Sequence, residues 1–297
     1  RLLKDCWPIS VKSISEMATG LQDMIAALTG KSPSQLSSLS GGSIADVYKI
    51  SFPSDTPIVA KLSSGLELEA RMLNYLQEHS DLPVPQVIHA DESLLLMSYL
   101  PSGSALNPPV QIHAADLLAA LHGITATKFG FEWDTVIGGL HQPNPQSENW
   151  LTFFRDHRLL YMGQLAVDKG RLLSGLFSRL REFCDQLDKW LNVPSAPALI
   201  HGDMWGGNVL AQKGQITGFV DPAIYYADAE IELAFSTLFS TFGDDFFSRY
   251  QEHRPLAPGF FEERRDIYNL YPLLVHVCLF GGSYVNSVDA ILKRFGI

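Results

Sequence analysis

Apolar residues recur along this chain with two different periods, and the change from one to the other divides it. From Ser13 to Leu28, residues Ile14, Met17, Leu21, Met24, Ile25 and Leu28 share one helical stripe, and Gly30 offers a stop. The runs "LSGGSIADVYKISF" and "PIVAKLS" read as short strands joined by the turn "PSDT". "LELEARMLNYLQEH" returns to helical spacing and is closed before Pro83 and Pro85, whereas "QVIHADESLLLMSYL" reads as two strands around Asp91 and Glu92. Beyond "PSGSALNPP", residues 101–109, which reads as a linker, the helical period dominates. It runs through "VQIHAADLLAALHGI", "ENWLTFFRDHRLLYMGQLAVDKG" and "LLSGLFSRLREFCDQLDKWL". One hairpin interrupts it, with "NVLA" and "QITGFV" meeting at a turn that holds Gly214. The pattern predicts an α+β protein of two lobes. Residues 1–100 form a small lobe on an antiparallel β-sheet, and residues 101–297 form a larger, mainly helical lobe. A ligand is expected in the cleft between them.

Composition narrows the function. Hydrophobic residues make up 46% of the 297 and charged residues 18%, which suits a folded core and excludes a disordered chain. A formal net charge of −10 excludes a general nucleic-acid binder. It still allows a polyanionic small molecule, because a few lysines and a metal ion neutralise phosphates locally. Cys6, Cys184 and Cys278 form no paired motif, so a reducing compartment without disulfides is expected. The apolar run "YPLLVHVCLF" is too short to cross a bilayer, and "RLLKDCWPIS" lacks the core of a secretory signal. The expectation is a cytoplasmic monomer without membrane or nucleic-acid partners.

The hairpin carries the chemistry. "HGDMWGGN" precedes its first strand and Asp221 follows its second, so Asp203, Asn208 and Asp221 should meet at one mouth. Buried charge needs a partner, and two carboxylates with an amide oxygen suit a hard cation such as Mg²⁺ while leaving one carboxylate to orient a nucleophile. The five-residue step from Asp203 to Asn208 matches the protein-kinase template, in which the aspartate is a base and the asparagine a metal ligand. Asp221 then takes the principal metal position. The plain alternative is a pair of turn residues. A His201–Asp203 metallohydrolase pair lacks the further histidines it needs. Upstream, Gly41, Gly42 and Ser43 supply a candidate phosphate loop, Lys61 a strand lysine, and Glu69 an acid on the next helix, with Glu67 as its competitor. Met97, Ser98, Tyr99 and Leu100 would form an adenine-binding hinge. Each is weak alone, since a strand lysine is more often a solvated edge residue. Their order is what chance rarely assembles.

The run "LIHGDMWGGNVL…GFVDPAIYYADAEIELAF" resembles the fructosamine-3-kinase (ketosamine-3-kinase) family, within the aminoglycoside phosphotransferase-like kinases. Trp205 and "DPA" in place of "DFG" carry the likeness, with "SGGSIADVYKI", "ENWLTFFRDHRL" and "APGF" as further matches. The resemblance implies a protein-kinase-like fold and an ATP- and Mg²⁺-dependent kinase. Such a kinase phosphorylates the 3-hydroxyl of fructosamine or ribulosamine adducts, small or protein-linked, whose products then break down in deglycation. Asp203 would be the base, Asn208 and Asp221 the metal ligands, and Lys61, held by Glu69, the phosphate contact. Trp205 would pack against the sugar or its amine, with a core role as the competing reading. His157 and Arg158 are candidate substrate contacts in a stretch spaced like core, and Asp228 and Glu230 are cleft acids or helix caps. The alternatives are another small-molecule kinase of the aminoglycoside and choline kinase-like superfamily, or a non-catalytic kinase-like binding module.

Overall fold

The computed structural model describes residues 14–39, 45–191 and 196–297. Helix α1 (Ile14–Thr29) stops at Gly30, whose φ of 70° is open to glycine. Strands β1 (Gln35–Ser38), β2 (Asp46–Ser51), β3 (Ile58–Leu62), β4 (Val87–Ala90) and β5 (Leu94–Ser98) form one antiparallel sheet in the order β1-β2-β3-β5-β4. Alternation sorts its side chains. Ile50, Ile58, Ala60, Leu94 and Leu96 pack with Leu21 and Ile25 of α1. On the opposite face Val59, Leu95 and Met97 meet Leu66, Ala70 and Leu73 of α2 (Leu66–His79). Lys61, two residues after Val59, shares that second face. A slip of one residue would turn it toward α1 and away from the cleft. β1 was not expected from the sequence: "QLSS" has no apolar alternation and is a strand only because β2 offers it a ladder.

The helical part begins earlier than the linker reading placed it. Asn107 caps α3 (Pro108–Leu121) by accepting the Val110 N–H at 3.3 Å, and the two prolines occupy its first turn, where no donor is needed. An unanticipated hairpin follows, β6 (Thr135–Ile137) and β7 (Leu140–Gln142), turned by Gly138 and Gly139 at φ 54° and 73°. Then come α4 (Trp150–Phe154), a π-helical turn over Arg155–Leu160, α5 (Tyr161–Asp168) and α6 (Ser174–Cys184). Four short strands, β8 (Ala198–Ile200), β9 (Val209–Gln212), β10 (Gln215–Phe219) and β11 (Tyr225–Ala227), pair as β9 with β10 and β8 with β11. Helices α7 (Glu230–Leu238), α8 (Asp244–His253), α9 (Arg265–Phe280) and α10 (Ser283–Arg294) complete the chain. One large core, including the fully buried Trp150, Phe153, Phe154 and Tyr268, holds these elements together. Cys184 and Cys278 are buried free thiols, and among the described residues no helix is long and apolar enough to cross a membrane.

Candidate active site

The β9–β10 hairpin turns at Lys213 and Gly214, both left-handed at φ 53° and 79°. It is stapled to the segment that leaves the small sheet after β5 and to the connection between α2 and β4. Ser104 N–H donates to Ala211 O at 3.0 Å, Thr217 Oγ1 to Pro101 O at 2.5 Å, and Phe219 N–H to Pro83 O at 2.8 Å. At Gly218 a Cβ would sit 2.2 Å from the Leu100 side chain and 3.1 Å from Pro83 O, so any other residue would make Leu100 give way.

The loops on either side of the hairpin are locked together. Ala223 N–H donates to His201 O at 2.7 Å, and Gly202, at φ 89°, passes Ala223 O so closely that a Cβ would be 2.1 Å from it. From α7, Glu232 accepts the Gly202 N–H at 2.7 Å and the His201 N–H at 3.2 Å. The same carboxylate bonds His122 Nε2 at 2.8 Å, and His122 Nδ1 meets Tyr250 Oη at 2.7 Å. Burial alone would raise the Glu232 pKa, but the hydrogen bond and charge of His122 outweigh it and hold the group below its ordinary value. Glu232 is thus a buried anion that clamps the loop carrying Asp203. Sequence reasoning missed it and weighed its neighbours Asp228 and Glu230 instead. Those two are structural: Asp228 caps α7 at the Glu230 N–H and accepts from Tyr268 Oη, and Glu230 holds Arg264 through two bonds of 2.6 and 2.8 Å.

Asn208 Nδ2 donates to Asp203 Oδ2 at 2.8 Å and to Asp203 O at 2.9 Å. With its amide hydrogens engaged there, its Oδ1 is the atom left to face a cation. Asp221 is left-handed at φ 55°, a strained conformation for a residue with a Cβ and of the kind that gathers at functional sites. Its Oδ1 accepts from Lys61 Nζ at 2.8 Å. The same ammonium donates to both Glu69 oxygens, at 2.8 and 2.7 Å, so Glu69 rather than Glu67 is its holder. Lys61 is only 8% exposed.

One ammonium against three carboxylates leaves a formal charge of −2 here. Burial pushes Glu69 up to about 7, with Lys61 pulling it back. Burial likewise pushes Asp203 up to about 7, opposed by the Asn208 hydrogen bond and reinforced by Asp221. Burial disfavours the Lys61 ammonium, but its two carboxylate partners outweigh that and raise its pKa. The cluster is short of positive charge and suits a cation. Among the described residues no three His, Cys, Asp or Glu side chains make a ready metal cage. One carboxylate and one amide oxygen are the kind of sparse set that fits Mg²⁺ arriving with phosphates, since that ion keeps water and substrate oxygens as most of its ligands. His201 does not fit the metallohydrolase reading: its ring is fully buried, burial holds it neutral, and Nδ1 accepts the Asp203 N–H at 3.4 Å.

At the hinge, Ser98 is committed to the edge strand, donating its N–H to Gln86 O and accepting the Gln86 N–H on Oγ, both at 2.9 Å. Tyr99 and Leu100 make no backbone hydrogen bond among the described residues, and Met97 is buried on the Lys61 face of the sheet. Trp205 is half-buried. Its ring lies over Gly207, where a Cβ would stand 2.3 Å away, and its edge meets Phe239 at 6.2 Å. Gly41, Gly42 and Ser43 lie outside the described residues.

The expectation for Arg158 fails. Arg158 is fully buried, donating to Pro143 O at 2.7 Å, His157 O at 2.9 Å and Asn144 Oδ1 at 2.5 Å, and it stacks on Tyr225 at 3.9 Å. It is a core guanidinium, unavailable to substrate. His157 lines a separate cavity of about 480 Å³ with Phe131, Trp133 and Pro143, which contains none of Lys61, Asp203, Asn208 or Asp221.

The chain has clear relatives. The profile of the Fructosamine kinase family matches residues 17–296. A Vibrio parahaemolyticus protein named "Probable ketoamine kinase" is 34% identical over 267 residues, 86% of this chain and 90% of its own. The chloroplastic protein-ribulosamine 3-kinase of Arabidopsis thaliana is 33% identical over 245 residues, 77% of this chain and 71% of that one. Among solved structures, a candidate fructosamine-3-kinase of Thermobifida fusca superposes with a TM-score of 0.79 at 30% identity, covering 92% of this chain and 98% of its own. An aminoglycoside phosphotransferase solved with AMP-PNP and hygromycin B reaches 0.65 at 18% identity, over 93% and 98%, and shares the kinase-like α+β fold.

Proposed function

The chain belongs to the fructosamine kinase family, and from that premise we propose how the cluster around Asp203 carries out the family's reaction. The protein is an ATP-dependent ketosamine-3-kinase. It phosphorylates the 3-hydroxyl of a ketosamine, a ketose joined to an amine by glycation.

Asp203 is the base. Asn208 fixes Oδ2, which leaves Oδ1 for the sugar hydroxyl. As the 3-hydroxyl oxygen bonds to the γ-phosphorus, its proton passes to Asp203, the bond from that phosphorus to the β-bridging oxygen breaks, and ADP leaves. Lys61, anchored by Glu69, offers its ammonium to the α- and β-phosphates, a contact that relieves its present sharing with Asp221. Asp221 and the Asn208 amide oxygen would hold Mg²⁺, which when bound neutralises phosphate charge. The free backbone groups of Tyr99 and Leu100 take the adenine edge, with Met97 behind the ring. Residues 1–100 serve the nucleotide, with Gly41, Gly42 and Ser43 as phosphate loop, and residues 101–297 supply the base and the sugar site. Trp205, two residues past Asp203 and half-buried, packs against the sugar.

A single observation carries this reading: Lys61 bonds Glu69 within its own lobe and Asp221 across the cleft, beside an Asp203 held by Asn208. The test is a panel of acceptors with MgATP, followed by ADP release and location of the new phosphate. Fructosyl and ribulosyl amines should be phosphorylated on O3. Comparable kcat/KM for an aminoglycoside, choline or homoserine would contradict it.

A further inference from the structure

Trp205 does not stand alone. Beyond its contact with Phe239, at the C-terminal end of α7, that ring tilts onto His276 of α9 at 5.0 Å, and His276 meets Phe280 at 5.7 Å and Tyr284 at 4.9 Å. Phe239 and Phe280 are 38% and 49% exposed, unusual for a residue type that belongs in cores. Local backbone builds the row. Ser240 adopts a left-handed φ of 54° just after Phe239. Gly281 and Gly282, at φ 65° and 62°, separate α9 from α10 and allow Tyr284 to fold back onto His276. His276 Nδ1 donates to Pro272 O at 2.7 Å, which fixes the tautomer and leaves Nε2 as an acceptor. Burial lowers the pKa of this ring, so it is neutral near pH 7.

We propose that this aromatic row, from Trp205 through Phe239 and His276 to Phe280, is the subsite for the amine substituent of the ketosamine and selects substituents carrying an aromatic or large apolar group. The inference rests on the ketosamine reading and extends it. Phosphoryl transfer places the sugar at Asp203, and Trp205 is two residues away. The substituent is covalently bound to the sugar and must leave the cleft over a neighbouring surface. The row is continuous with Trp205 and offers ring faces, which suit both an apolar group and the secondary ammonium that joins it to the sugar. His276 Nε2 adds an acceptor for an N–H of that ammonium. Exposed, contiguous aromatic surface of this kind marks binding sites more often than chance exposure.

The test compares kcat/KM for the fructose adducts of methylamine and benzylamine, and of a lysine flanked by phenylalanine in a short peptide. The parent enzyme should favour the benzylamine adduct over the methylamine adduct by roughly tenfold, the size that one apolar group in a pocket commonly confers. Phe280→Ala and Phe239→Ser should each bring that ratio to within about twofold of unity through KM, while Met24→Ala, exposed on α1 against the small sheet, keeps the parent ratio. Thermal unfolding of each variant checks that it is folded. The peptide gains the same factor if glycated polypeptides are the natural source, and the small aromatic adduct alone gains it if free amines are; either supports the row. Equal kcat/KM for both amines in the parent, or a ratio unchanged in both phenylalanine variants, overturns it. Turnover of none of the three adducts would overturn the ketosamine reading itself, and the subsite with it.

Discussion

Asp203, the proposed base, is a carboxyl group whose surroundings oppose its charge. Burial pushes its pKa to about 7, and the Asn208 hydrogen bond recovers only part of the loss. Two consequences follow for this residue. A base must be ionised, so kcat/KM of the free enzyme should fall about tenfold per pH unit below that value. The folded pKa also lies above the unfolded one, so the neutral form favours folding. That contribution is full below about pH 4, the unfolded value, and is lost as pH rises to about 7. Asp203→Asn keeps an oxygen for Asn208 and removes the charge. It should therefore raise stability at pH 8 by roughly 1–3 kcal/mol and leave it nearly unchanged at pH 4. Thermal unfolding at the two pH values checks this, and a destabilised variant at pH 8 would contradict it. Among single residues, the meeting of Lys61 with Glu69 and Asp221, and of Asn208 with Asp203, was legible from their order and spacing along the chain. For Arg158 the core-like spacing of its stretch was visible and was the better guide: within the π-helical turn it packs on Phe153, five residues back, at 4.7 Å. Its basic character suggested a substrate contact where its position indicated the core.

At the scale of elements, α2 and the β9–β10 hairpin were legible because each states its own period and its own stop. Five of the three- and four-residue strands, β1, β6, β7, β8 and β11, were not. They have too few positions to show alternation and no strong apolar run beside them; β8 and β11 find their ladder across 25 residues, whereas β6 and β7 pair locally through the Gly138–Gly139 turn. The clamp from α7 was hidden for a similar reason. Asp228, Glu230 and Glu232 look alike in sequence, and only the packing of α7 beneath the catalytic loop decides which one reaches the His201 and Gly202 amides. That clamp is a positioning device. Glu232→Gln keeps the shape but removes the buried charge and turns an amide N–H toward one of its donors. It should lower kcat roughly tenfold to a hundredfold, as small displacements of a catalytic group do, with KM for ketosamine within about twofold. Steady-state kinetics separates the two constants. A variant that loses KM alone would place Glu232 in substrate binding instead.

Over the whole molecule, the sheet of the small lobe and the hairpin of the large one meet at an ion-paired cluster around Lys61. The sequence shows both halves but not their approach. The 2.8 Å contact between Lys61 and Asp221 joins residues 160 apart, and no local pattern encodes it. It depends on the register that turns Lys61 toward α2, on the strained Asp221 backbone, and on the staples that hold the hairpin against the hinge segment, through Ser104 and Thr217, and against Pro83, through Phe219. The most direct measurement is ADP release with a fructosyl amine and MgATP by the parent and Asp203→Asn proteins, alongside their nucleotide affinities. Loss of the base should lower kcat by roughly 10²–10⁴ while MgATP binds within about threefold of the parent. Turnover at the parent rate by Asp203→Asn would contradict the assignment of this cluster as the phosphoryl-transfer site.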